Sequence, residues 1–316
     1  LETRLAAEHV IEAPRDLARE FDVRNLVFCG MGGSAVAGDV LRSVFRDRLG
    51  VPVEVNRSPE LPEHAGPHSL VVASSYSGNT SETLAAFREA TKRGCRAIVV
   101  SSGGTIVDEA GGAGVPVVRV PGGFQPRAAL GWLASTALGA LEAAGLLPPL
   151  AEDVAETAGE ADARAAACGP DTPAGDNPAK RLAEEIGERI PVIWGAEGIG
   201  AVAAARWKTQ CNENGKVPAW WASMSELDHN EVVGWTEPFG RAHSVIALRH
   251  EAEDPEIAAR FPLSLRIAAD AGADTHEVWA TGRSSLAIAS GGDDEHPLAQ
   301  AQVVVVGRLV RGGVGS

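Results

Sequence analysis

The sequence predicts an α/β protein made of two αβα sandwiches, each a parallel β-sheet flanked by α-helices. Three observations carry this. Short apolar, β-branched runs alternate with helical stretches through the first half of the chain, the pattern of a parallel sheet covered on both faces. Proline and glycine then crowd Gly145–Pro149 and Cys168–Pro178, on either side of an Ala/Glu-rich helix, as in a linker between domains. Beyond it the same grammar restarts. VFCGMGGSAVA from Val27 and VIWGAEGIGAVA from Val192 both read strand, glycine turn, small-residue helix, which hints at two related domains.

In chain order, Asn25–Cys29 is a strand entering the glycine loop Gly30–Gly33, and Ala35–Phe45 is a helix. Val51–Val55 and Ser69–Ser74 are strands, and a polar loop leads from the latter to a helix at Ser81–Lys92. Ala97–Ser101 and Val117–Val120 are further strands, and Ala128–Ala144 is a long apolar helix. In the second half, strand Pro191–Trp194 meets glycine loop Gly195–Gly200 and helix Ala201–Asn212. Strands Ser244–Leu248 and His276–Thr281 flank a helix at Pro255–Ala271. The expected division is 1–150 for the first domain, 151–177 for a helical linker and 178–316 for the second domain.

The 316 residues carry 28 Lys and Arg against 42 Asp and Glu, a net charge of 28 − 42 = −14. Such an acidic chain lacks the basic face that nucleic-acid binding requires, though a local pocket can still attract a small anion. Cys29, Cys95, Cys168 and Cys211 form no CxxC pair and no metal-ligand spacing, so they read as structural thiols in a reducing compartment. The amino-terminal LETRLAAEHVIEAPRD is interrupted by acids, unlike a signal peptide. No run reaches the ~18 apolar residues of a membrane span. The expected setting is the cytoplasm, with no membrane, nucleic-acid or metal partner.

Three segments could carry chemistry. Gly30–Ala35 (GMGGSA) fits the loose GxGxx(G/A) pattern, and Glu54 lies where a ribose-binding acid would sit. That leaves open a nicotinamide site, another anion at a helix N-terminus, or a tight turn with no ligand. Ser75-Tyr76-Ser77-Gly78-Asn79-Thr80 follows a strand and opens a helix. Its hydroxyls and a helix N-terminus make an uncharged phosphate cradle. It has no Gly-Lys-Ser/Thr, so it suits a phosphomonoester better than a nucleoside triphosphate. An ordinary N-cap at Thr80 or Ser81 is the alternative, but capping needs one hydroxyl rather than three. Arg127 follows a strand end, the sheet edge where α/β ligands bind; a plain surface arginine is the alternative. In the third segment, Glu213 sits between two amides in Asn212-Glu213-Asn214, and His229 lies in the polar run Ser225–Glu231. A carboxylate and an imidazole are the usual tools for moving protons beside a carbonyl; a solvated acidic loop with a bystander histidine is the alternative. Five of the seven tryptophans lie between Trp194 and Trp235, which reads as packing around a site.

Taken together, GMGGSA, SSYSGNTSET, GGFQPRAALG, RWKTQCNENGK and SELDHNEVVGW resemble the bifunctional phosphoglucose/phosphomannose isomerases of the SIS (sugar isomerase) superfamily, from about Asn25 to Trp235. The resemblance implies two SIS domains in a homodimer, and interconversion of glucose 6-phosphate or mannose 6-phosphate with fructose 6-phosphate through a cis-enediol. Carried over by motif, Gly33, Ser34, Ser75, Ser77 and Thr80 would hold the phosphate, and Arg127 would face the reacting carbons. Glu213 would shuttle the proton between C1 and C2. His229 would assist ring opening from across the dimer interface. This chemistry requires no metal or redox cofactor.

The carboxy-terminal sequence departs from the family. It reads EHPLAQAQVVVVGRLVRGGVGS, and the last lysine is Lys216, whereas the family carries a Gly-Asp-containing helix and a near-terminal lysine. Gln300–Val310 would be the start of that final helix, although its four valines favour a strand locally. The departure leads us to expect an incomplete second domain and reduced activity, most of all on mannose 6-phosphate. It also leaves open a sugar-phosphate-binding or regulatory SIS protein with little or no catalysis.

Overall fold

The computed structural model describes residues 22–282, together with Ser284 and Ala287. Gln300–Val310 lies outside them. The chain divides into two compact units, Leu1–Ala155 and Glu156–Ser316.

The first unit runs β1 (Asn25–Cys29), α1 (Gly32–Val44), β2 (Val53–Asn56), β3 (Ser69–Ser74), α2 (Ser81–Lys92), β4 (Arg96–Ser101), α3 (Thr105–Gly112) and β5 (Val117–Arg119), then a 3₁₀ turn at Pro126–Ala128 and α4 (Leu130–Ala143). The strands form one parallel sheet in the order β2-β1-β3-β4-β5. Every residue of the central strand β3, SLVVAS, is buried, as expected of a parallel strand covered on both faces. Alternation splits its side chains. Val71 and Ala73 join Val27, Cys29 and Val99 against Leu84 and Phe87 of α2 and Ile106 and Ala110 of α3. On the opposite face α1 approaches the sheet so closely that a Cβ on Gly38 would lie 2.6 Å from the Phe28 ring. Burial of each large side chain such as Phe28 or Phe87 contributes roughly 1.5–3 kcal/mol.

Helix α5 (Ala151–Cys168) spans the boundary. The second unit continues α6 (Pro178–Ile186), β6 (Ile190–Gly195), α7 (Ile199–Glu213), β7 (Trp220–Ser223), α8 (Met224–His229), β8 (His243–Arg249), α9 (Pro255–Ala258), α10 (Phe261–Asp270) and β9 (Asp274–Trp279). Its parallel sheet has the order β7-β6-β8-β9. That is the order of the first four strands of the first unit. The first glycine of each glycine run also serves the same end. A Cβ on Gly30 would press on Ser34, Ala35 and Ser74 at 3.0–3.1 Å, and one on Gly195 would lie 2.1 Å from Gly200 O.

Several elements differ from the sequence expectation. Helix α1 begins at Gly32, so Gly33 and Ser34 lie in its first turn rather than in a loop. Helix α3 and strand β7 were not expected. The helix expected at Pro255–Ala271 is two helices, because Pro262, in the first turn of α10, has no N–H with which to continue the preceding helix. The strand expected at His276–Thr281 is Asp274–Trp279.

Two loops interlock at the carboxyl edge of the first sheet. Gly78 (φ +68°) and Gly104 (φ +79°) bring the loops after β3 and β4 into backbone contact. A Cβ on Gly78 would lie 1.7 Å from Gly103 O, and one on Gly104 2.3 Å from Ser77 O. Asn79 Oδ1 accepts from Thr105 N (3.0 Å) and Thr105 Oγ1 (2.9 Å), and Ile106 N donates to Gly78 O (3.0 Å). Gly78→Ala therefore meets both a left-handed backbone and a clash. It should cost about 1–3 kcal/mol of stability and weaken inorganic phosphate binding at least about tenfold, equivalent to 1.4 kcal/mol. Calorimetry of the variant checks this; unchanged phosphate affinity would contradict the loop's proposed role.

In the second unit, burial holds the His250 and His276 imidazoles below their usual range. Both rings thus bind protons less readily folded than unfolded. Above pH ~6.5 they are neutral in either state and add no pH dependence; below it the unfolded chain takes up more protons, so stability falls with pH. Thermal melts should show the midpoint dropping from about pH 7 to about pH 5.5, with a shallower slope in the double variant His250→Gln/His276→Gln. Equal slopes would show that these histidines do not control it.

Candidate active site

In a sheet ordered 2-1-3-4, the connections from strands 1 and 3 leave in opposite directions, and the crevice between their carboxyl ends is the ligand position. In the first unit that crevice lies between Gly30–Ser34 after β1 and Ser75–Thr80 after β3. The helices opening there, α1 and α2, have N-caps Met31 and Thr80, and neither N-cap side chain hydrogen-bonds to its helix. Thr80 Oγ1 instead lies 3.0 Å from Ser75 Oγ, and Ser81 Oγ donates to Glu82 Oε2 (2.9 Å). The hydroxyls of this run are thus not spent on capping. Its own backbone amide and the Ser81 hydroxyl hold the Glu82 carboxyl below its usual range.

The five expected phosphate residues all belong to these two segments. Gly33 and Ser34 occupy the first turn of α1, with Ser34 largely buried. Ser75 is 1% exposed, and its Oγ accepts from Gly78 N (3.1 Å). Ser77 is exposed, with its Oγ accepting from Asn79 N (3.3 Å). Thr80 is half-buried. Arg127 joins them through the backbone: a Cβ on Gly33 would lie 3.2 Å from Pro126 O and 4.0 Å from Arg127 Cα. The 3₁₀ turn bearing Arg127 thus packs on the first turn of α1.

The sequence reading missed two parts of this edge. One is the loop Ser102–Thr105, whose signal was a glycine pair one residue after a strand. The other is the hydroxyl of Tyr76, the only tyrosine in the chain. It donates to Pro121 O (3.0 Å) and accepts from Phe124 N (2.9 Å).

In the second unit, Glu213 is the exposed last residue of α7. Its flanking amides fold back to brace the turn: Asn212 Nδ2 donates to Val217 O (2.9 Å), and Asn214 Nδ2 donates to Gln210 Oε1. Lys216 Nζ donates to Glu213 O. Lys216 (φ +56°) is the one non-glycine residue at positive φ among the described residues. His229 is the exposed last residue of α8, and its polar neighbours are held by hydrogen bonds of their own. Asp228 Oδ1 accepts from Ser264 Oγ (2.7 Å), Asn230 Nδ2 donates to Glu226 Oε1 (2.6 Å), and Glu231 Oε1 accepts from buried Trp194 Nε1 (3.1 Å).

Glu213 and His229 do not meet within this unit. Helix α7, about 22 Å long at 1.5 Å per residue, leaves the carboxyl edge of β6 and carries Glu213 to the amino edge, where β7 begins; α8 with His229 follows the carboxyl end of β7. Of the five tryptophans from Trp194 to Trp235, Trp194, Trp207 and Trp235 pack inside, while Trp220 and Trp221 on edge strand β7 are 50% and 43% exposed.

Residues 21–110 match the SIS domain family, and residues 175–289 match the bacterial phospho-glucose isomerase C-terminal SIS domain. The chain is 36% identical over 271 residues to a bifunctional phosphoglucose/phosphomannose isomerase of Caldicellulosiruptor bescii, covering 84% of this chain and 79% of that one. It is 33% identical over 265 residues to the protein of the same name from Thermoplasma acidophilum, covering 83% and 77%. Among solved structures, tagatose-6-phosphate ketose/aldose isomerase from Escherichia coli superposes with a TM-score of 0.69 at 14% identity, over 94% of this chain and 85% of that one; at that identity the likeness is one of fold. With sheets of the expected topology and relatives this similar over most of their length, the chain belongs to the bifunctional phosphoglucose/phosphomannose isomerase family of SIS-domain proteins.

Proposed function

We propose that the protein is a sugar-phosphate aldose–ketose isomerase, interconverting glucose 6-phosphate and mannose 6-phosphate with fructose 6-phosphate in the cytoplasm. The observation that carries this reading is the presence, in one chain of this family, of an uncharged hydroxyl-and-amide crevice and an exposed carboxylate on a braced turn. The first suits a phosphate dianion; the second suits a proton carrier. We take 1–150 and 178–316 as the two domains and 151–177 as the linker.

In this reading Gly33, Ser34, Ser75, Ser77 and Thr80 form the phosphate seat. Ser75 acts from behind. Gly78 N–H donates to Ser75 Oγ; either hydroxyl can donate in the 3.0 Å contact between Ser75 Oγ and Thr80 Oγ1, and in this reading Ser75 is the donor, which leaves the Thr80 proton for the ligand. Phosphate binding lies away from the reacting carbons, so it supplies positioning energy. His229 assists opening of the sugar ring. The Glu213 carboxylate removes the proton from C2 of the aldose and returns it to C1 of the ketose, and the hydroxyl proton moves between O2 and O1. Oxidation at C2 is balanced by reduction at C1. The enediolate charge falls to the Arg127 guanidinium, a fixed cation.

The protein acts as a homodimer in which each site takes His229 from the other copy. Glu213 and His229 lie at opposite edges of their own sheet, and the edge-strand tryptophans Trp220 and Trp221 offer apolar surface for a partner.

A coupled assay should detect turnover of fructose 6-phosphate to both aldoses. Glu213→Gln should lower kcat by about three powers of ten or more, with KM changed little. Near-normal kcat in that variant would remove Glu213 from the chemistry. Mixing inactive Glu213→Gln and His229→Ala chains, with exchange of subunits, should restore about a quarter of wild-type activity, since half the dimers are mixed and each holds one intact site. No recovery would mean that Glu213 and His229 of one chain serve one site.

A further inference from the structure

We propose that Tyr76 is a positioning residue that ties the Arg127 turn to the phosphate loop. Tyr76 is 6% exposed and is held at its main chain and at its hydroxyl. Its main-chain carbonyl accepts from Ser102 N (3.1 Å) and Ser102 Oγ (2.6 Å). Its hydroxyl donates to Pro121 O (3.0 Å) and accepts from Phe124 N (2.9 Å). The hydroxyl therefore closes the loop Pro121–Phe124 between β5 and the 3₁₀ turn Pro126–Ala128.

That loop needs an external brace. It contains Gly122 and Gly123, the latter at φ +98°, and glycines give the backbone little stiffness of its own. Arg127 lies three residues beyond Phe124. Its turn is fixed on one side by Gly33 of α1, 3.2 Å from Pro126 O by a notional Cβ, and on the other by Tyr76. The brace must donate and accept at the tip of a rigid apolar body, which is what a phenol does. Because Tyr76 stands between Ser75 and Ser77, the segment that seats the phosphate also sets where the Arg127 turn begins.

This inference rests on the proposed role of Arg127 in the isomerisation. The test uses the full chain as wild type, Tyr76→Phe, Arg127→Ala and the double variant. Tyr76→Phe should lower kcat about tenfold, with KM for fructose 6-phosphate and Kd for inorganic phosphate within about twofold of wild type. In the Arg127→Ala background the same change should cost less than about twofold, because the group it positions is gone. An equal loss in both backgrounds, or weakened phosphate binding with normal kcat, would overturn the proposal.

Amide exchange provides a readout independent of turnover. In the wild type the Phe124 amide should be protected relative to Gly122 and Gly123, and Tyr76→Phe should abolish that protection. Equal exchange at all three residues of the wild type would overturn the brace even if the variant failed to fold. A wild type without isomerase activity would instead refute the isomerase reading, and the exchange result would still decide the brace.

Discussion

Backbone contact between the loops after β3 and β4 organises the carboxyl edge of the first unit. It exists because Gly78 and Gly104 adopt left-handed conformations with no Cβ between the chains. From this contact follow the position of Ser77, the Asn79–Thr105 hydrogen bonds and the start of α2. Through Tyr76 it extends to the loop after β5. Within an acidic chain, the result is an uncharged six-residue run at two helix N-termini, a place where an anion meets amides and hydroxyls rather than carboxylates.

The two units share a strand order but treat this edge differently. The loop after β8, in the topological place of Ser75–Thr80, reads His250-Glu251-Ala252-Glu253-Asp254. Its Glu253 carboxylate is 2% exposed, accepts from His250 N (3.0 Å) and pairs with Arg249, itself 6% exposed and stacked on the Phe261 ring at 4.1 Å. The second unit thus fills the equivalent edge with its own anion. Removing one partner of such a buried pair costs about 3–5 kcal/mol, so that edge is committed to structure. The division matches the residue types: phosphate-binding candidates in the first unit, proton-transfer candidates in the second.

Much of this was legible in the sequence. The buried strands β1, β3, β4 and β8 stand out because a parallel strand covered on both faces is a continuous apolar run. The SYSGNT run marks the proposed phosphate edge because three hydroxyls exceed what a cap needs. Strand β7 escaped because WWAS is short and, among the described residues, pairs on one side only. Helix α3 escaped because TIVDEAGG ends in two glycines and is held by tertiary contacts of Ile106 and Ala110 rather than by propensity. The Tyr76 brace was invisible because its partners are backbone atoms 45 and 48 residues away. Only folding reveals that Glu213 and His229, 16 positions apart by number (229 − 213), stand at opposite edges of a sheet.

Proton transfer by an exposed carboxylate is the core of the proposed chemistry, and the fate of one hydrogen tests it most directly. Fructose 6-phosphate is turned over by the wild-type protein in deuterium oxide, and the C2 position of the aldose formed is read by NMR. Because the protonated Glu213 carboxyl is open to solvent, it exchanges during the life of the enediol, and a measurable fraction of the aldose carries deuterium at C2. Undiluted transfer of the C1 hydrogen to C2, as in a hydride shift, or the absence of any aldose, would contradict it.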